Sequence, residues 1–201
     1  MKRFMSAVAV AALTAVLGGC GVPSLNALAT PETTVADDGL VGMWAPVKDG
    51  KEAGGERYVI SPAHASEKSY AVKIIPEDKD DKPLDVEVQI VKLGEHHFLD
   101  MRMPKARRAD LEQYGTLVAP LHNFYKVKRD GDTLTVWGID HQWLEKSLKD
   151  GTVKLAYAEH GKDKDPVLTA STEALQAFFT ENAANEKLFD DPGVLRRRPA
   201  P

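Results

Sequence analysis

Six histidines, a single cysteine and 30 carboxylates are the groups in this chain that could do chemistry. A zinc site would need two histidines at strand spacing (i, i+2) or helix spacing (i, i+4), with a third ligand from elsewhere. His64, His96, His97, His122, His141 and His160 contain no such pair. His96 and His97 are adjacent, so on a strand they point to opposite faces. They read as surface or rim residues, and no metal site is expected. Nucleophilic chemistry finds no frame either. There is no Gly-x-Ser-x-Gly elbow, and Ser61 with His64 is a loop pairing without a carboxylate to orient it. Gly54-Gly55 precedes a strand pattern rather than the helix that a phosphate cradle requires. The acidic run at 77–82 is interleaved with lysines and lacks the glycine and closing glutamate of a calcium loop. It reads as a solvated hairpin tip. No catalytic residue and no cofactor are assigned, and an enzyme ranks last among the function classes.

Cys20 stands in a different setting. Met1-Lys2-Arg3 is a basic start, an uncharged run rich in Ala, Val and Leu follows over 4–17, and Leu17-Gly18-Gly19 leads into the cysteine. The run has the length of a signal-peptide apolar core and is shorter than the roughly twenty residues a membrane-spanning helix needs. Residues 1–20 resemble the bacterial lipoprotein signal with its lipobox. That resemblance implies cleavage after Gly19 and a diacylglyceryl group on the Cys20 sulfur, so that two or three acyl chains hold the protein to a membrane. At about 0.8 kcal/mol per buried CH₂ such an anchor is effectively permanent. Gly21 rather than Asp follows the cysteine, which in this family implies an outer-membrane anchor facing the periplasm. An ordinary secretory signal with an incidental cysteine is the competing reading. One cysteine excludes an intrachain disulfide.

The elements that would position these groups follow from composition and period. The 201 residues are 43% hydrophobic and 28% charged, enough apolar material for one globular core. The whole chain carries −4; loss of Lys2 and Arg3 with the signal leaves −6. That charge argues against nucleic acid as a partner and against tight adsorption to anionic lipid. Residues 20–38, with Pro23, Pro31 and several Ser and Thr, read as a flexible tether. The stretch from 190 onward, with Pro192, Gly193 and Arg196-Arg197-Arg198, reads as a disordered tail. Lys105, Arg107, Arg108 and the arginines of that tail read mainly as solvated charges, with anionic headgroups as the alternative.

Between these ends, over 39–189, the dominant period is two. Leu84-Asp85-Val86-Glu87-Val88-Gln89-Ile90 alternates as a half-buried antiparallel strand does. Further strands are predicted at 40–47, 56–60, 69–75, 96–103, 121–128 and 133–137, with a short piece at 168–169. Asp130-Gly131 and Gly94-Glu95 are hairpin turns. Asp140 caps a predicted helix to Lys149, and Ser171 caps one over 172–182. The fold class is therefore mainly β: an antiparallel meander or barrel of seven to eight strands with two short accessory helices.

Gly42-Met43-Trp44, at the first strand, resembles the Gly-x-Trp that opens lipocalins and other calycins. The resemblance implies an up-and-down barrel, a Trp plugging one end, and a ligand cavity at the other. The match covers three residues, and a helix interrupting the late strands departs from the family pattern. Residues 121–189 also look like uncharacterised bacterial lipoproteins, which brings no activity. Trp44, Tyr70, Met101, Met103 and Tyr125 are the candidate ligand-binding residues. They suit an adaptable apolar cavity and a packed core alike. Two functions are carried forward: a membrane-anchored barrel holding a small hydrophobic ligand, and an interaction lipoprotein docking a protein partner in the envelope.

Overall fold

The computed structural model describes residues 22–78, 80–104, 107, 121–189 and 192–199. In chain order these hold β1 (Thr34–Val35), a 3-10 turn (Asp38–Leu40), β2 (Gly42–Lys48), the short β3 (Lys51–Glu52), β4 (Arg57–Pro62), β5 (Ser69–Ile75), β6 (Leu84–Leu93), β7 (His96–Arg102), β8 (His122–Asp130) and β9 (Thr133–Trp137). An insertion follows, with α1 (His141–Lys149), β10 (Tyr157–His160), β11 (Asp165–Leu168) and α2 (Thr172–Glu181), and β12 (Gly193–Arg198) comes last. β2, β4 to β9 and β12 form a closed antiparallel barrel of eight strands. Each pairs with its neighbour in sequence, and β12 closes the ring between β9 and β2. The expected mainly β barrel with two helices is the observed architecture.

Local chemistry accounts for the elements. Asp140 accepts a hydrogen bond from the amide of Trp143 at 2.8 Å, and Ser171 accepts one from Ala174 at 3.3 Å, so both helices begin at the expected caps. The turns at Gly94 and Gly131 take φ of +58° and +55°, a region glycine enters without a Cβ clash.

Two cores share the barrel wall. Alternation sends Val72, Val88, Leu99, Val136 and Leu195 inward with Trp44 and three tyrosines. The second core lies outside. Val91, Leu93, Phe98 and Phe124 face outward from β6, β7 and β8, and the two helices cover them with Leu144, Leu148, Leu175 and Phe179. Phe179 stacks edge-on against Phe124, with ring centres 5.5 Å apart. A wall buried on both faces loses its clean alternation, as the end of β6 does from Ile90 to its expected and observed end at Leu93.

Both ends of the domain differ from expectation. From Val22 onward the expected tether is stitched to the barrel. Ser24 exchanges two 2.9 Å backbone hydrogen bonds with His122, the Leu25 amide donates to Leu168, and β1 pairs with β6. Val22 and Leu28 are fully buried anchors. The expected tail is a wall strand: β12 buries Leu195 inside the barrel, and Arg197 and Arg198 are engaged rather than free. Cys20 and most of the 105–120 segment lie outside the described residues.

Candidate functional site

The barrel interior receives four of the five predicted lining residues: Trp44, Tyr70, Met101 and Tyr125 belong to one buried cluster. Met103 keeps the inward parity of β7 but stands at the barrel end, 41% exposed. Among the described residues, a void of about 30 Å³ lies inside the barrel, bounded by apolar side chains, Val72, Val88, Leu99 and Met101 among them. Small-molecule pockets run to about 300–1,000 Å³, an order of magnitude larger. A void of this size could admit one or two waters by volume, yet it offers no polar partner to hold them. Burial, with the Glu56 carboxylate 3.0 Å from its hydroxyl, pushes the Tyr58 phenol well above the ordinary tyrosine range.

The Trp44 end of the barrel is sealed by interlocked polar bonds. The indole Nε1 donates to the Leu40 carbonyl at 2.8 Å, and the Arg197 guanidinium lies on the ring face, 4.6 Å from the ring centre. That guanidinium also donates to the carbonyls of Gly39 and Val41 and, at 2.9 Å, to Asp132. Arg129 grips Asp37 through both carboxylate oxygens at 2.7 and 2.9 Å, holding that carboxyl below its ordinary value. Gly42 has φ +141°, and a Cβ there would stand 2.7 Å from the guanidinium. The Gly-x-Trp spacing thus has a local reason: the glycine leaves room for the arginine that covers the tryptophan.

The outer wall carries the charged groups. Asp100, only 2% exposed, accepts hydrogen bonds from the amides of Leu28 (2.8 Å) and Ala29 (3.0 Å), and its other oxygen lies 2.6 Å from His122 Nδ1. Glu87 opposes Arg102 across β6 and β7 at 2.6 Å, and Arg102 also reaches Glu67 at 3.2 Å. Burial would raise the Glu87 carboxyl, but the Arg102 guanidinium outweighs it and holds the group below the usual range. A shallow groove of about 500 Å³ crosses the outer faces of β4, β5 and β6, floored by the small Ser61, Ala63 and Ala71 and edged by His64, Lys73 and Asp85. Ser61 and His64 both line this groove.

Among the described residues, no cluster of three or more His, Cys, Asp or Glu could hold a metal ion. His96 and His97 face opposite sides of β7, His97 towards the sealed end and His96 outward. The arginines of β12 divide their work: Arg197 covers Trp44, Arg198 pairs with Glu52, and Arg196 is exposed. Sequence reasoning missed the Asp100–His122 pair and the Arg197–Trp44 stack. Neither has a local signal, since the partners lie on separate strands. Compared with family models, curated proteins and solved structures, the chain matches none of them significantly.

Proposed function

We propose that this chain is a bacterial envelope lipoprotein, acylated at Cys20 and held at the outer membrane facing the periplasm, whose barrel is a rigid docking platform for an envelope protein. The small apolar void inside the barrel is the observation that supports this reading. A carrier must hold its cargo, and a 30 Å³ apolar void admits no lipid or fatty acid without repacking Leu99 and Met101. What remains for recognition is the outside of the barrel. The insertion covers the far half of β6 together with β7 and β8, whereas β4, β5 and the near half of β6 present the open groove.

Native mass spectrometry of residues 21–201, produced in a bacterial host and purified without detergent, separates the two functions. The platform reading expects the bare protein mass and no saturable binding of a fluorescent fatty acid. A discrete added mass removed by organic extraction would overturn it and restore the carrier, with Met101 and Tyr125 as lining residues.

A further inference from the structure

Four large apolar side chains stay exposed among the described residues: Leu25 at 44%, Leu84 at 55%, Met103 at 41% and Leu121 at 37%. They come from four separate stretches of chain, yet the sheet register brings them to one place. The Ser24–His122 bridge is antiparallel, so one step further sets Leu25 beside Leu121. Arg102 opposes His122, so Met103 comes next to Leu121 by the same step. Glu87 opposes Arg102, which puts Val86 beside Met103 and Leu84 at the far end of the row. All four lie on the rim opposite the sealed Trp44 end. Solitary exposed leucines need no explanation, but four large apolar side chains gathered on one rim do.

The row also stands close to Cys20. An extended chain covers at most about 3.3–3.6 Å per residue, so Cys20 lies within roughly 7 Å of Val22 and roughly 18 Å of Leu25. Val22 is buried, and Pro23, Ser24 and Leu25 are fixed by backbone hydrogen bonds to His122 and Leu168. A flexible linker of the expected length would instead let the domain wander about 23 Å and tumble freely. Here the leash is two residues long.

We infer that the Leu25–Leu121–Met103–Leu84 rim seats on the lipid surface, so that the acyl anchor fixes the orientation of the barrel as well as its location. This inference rests on the acylation of Cys20 proposed above. The partner is a bilayer face, which an apolar rim meets without needing headgroup charge. Seating on the rim turns the sealed end away from the membrane and leaves the groove on β4, β5 and β6 facing sideways.

The test uses the acylated full chain in phosphatidylcholine vesicles. Because the native cysteine is occupied by lipid, nitroxides can be placed singly at Leu25→Cys, Leu121→Cys and, on the opposite hairpin, Glu95→Cys. The rim labels are expected to show severalfold lower collision with a water-soluble nickel chelate than the Glu95→Cys label, and higher collision with oxygen. If all three labels are equally aqueous while the mass spectrum shows an acylated Cys20, the seat is refuted and the lipoprotein reading stands. If Cys20 carries no acyl mass, the lipoprotein reading fails and takes the seat with it.

Discussion

Removing the Asp100 carboxylate should loosen the N-terminal segment before it loosens anything else. Asp100→Ala strips the acceptor from two buried amides, Leu28 and Ala29, and leaves the His122 imidazole without its 2.6 Å partner. Each orphaned buried donor costs about 1–3 kcal/mol, and the two amides and the imidazole lose their shared partner together. Because these overlap, about 3–5 kcal/mol is expected in all, a drop in Tm of roughly 6–20 °C for a domain of this size. Asp100→Asn is the informative comparison. Both amides donate to the same oxygen, Oδ2, so an asparagine oxygen in that place keeps both bonds. Its amide nitrogen can then donate to Nδ1 of a neutral His122. The expected cost is only about 1–2 kcal/mol, the loss of charge assistance. Urea unfolding gives the two totals, and hydrogen exchange at Leu28 and Ala29 gives their place. A loss below 1 kcal/mol in Asp100→Ala, with both amides still protected, would show that the carboxylate does not hold this segment.

Other perturbations follow from the sealed end, the charged wall and the seam. Gly42→Ala meets both the +141° φ and the Arg197 guanidinium, and should cost about 1–3 kcal/mol in urea unfolding. Gly94→Ala, at +58° in open space, should cost about 1–2 kcal/mol; equal losses would remove the steric role given to Arg197. Asp37 and Glu87 have carboxyls held below their ordinary values, so they stabilise the fold above the unfolded values near 4, and that contribution disappears as pH falls through the folded ones. Glu87 contributes more, since Asp37 is partly exposed and screened. Stability should be flat from pH 7 to about 5 and decline below about 4. In Arg102→Met the buried Glu87 loses its guanidinium, so the variant should be weakened at pH 7 and recover part of the loss on acidification; an unchanged acid limb would discount the pair. A chain ending at Phe189 lacks β12, exposes the edges of β2 and β9, and should aggregate without a cooperative transition. A monomeric, cooperatively folding product would contradict the need for that strand.

The barrel strands were legible because each carries its own signal. Ser69 to Ile75 and Thr133 to Trp137 alternate so regularly that their predicted bounds coincide with the observed ones. The caps Asp140 and Ser171 act on amides three residues away, within reach of local reasoning. The ends failed for the opposite reason. Gly193 to Arg198 offers one inward leucine and an inward arginine, and the arginine is welcome inside only because Trp44 and three polar partners wait for it. Residues 22–35 are held by hydrogen bonds to a carboxylate, a distant backbone bridge and two apolar plugs, none of which has a period. The hairpin of β10 and β11 was reduced to a short piece at 168–169, because Glu159, His160 and Asp165 give it little apolar contrast. Of the five lining residues, strand parity accounts for Tyr70, Met101 and Tyr125 inside and the Gly-x-Trp resemblance for Trp44, but neither says how full the interior is. Volume is a property of all the strands together.

The seam between β2 and β12 sets a clock on folding. Met43 and Arg198 pair across it although some 150 residues separate them, and such distant pairings come late because loop entropy is lost before contact energy is gained. On a chain emerging from its N-terminus, Trp44 appears some 150 residues before its covering arginine. Until Arg197 arrives, β2 and β9 remain open edges. The chain thus stays unlatched, threadable and dependent on protection from self-association until β12 has been made, and becomes a finished barrel only then.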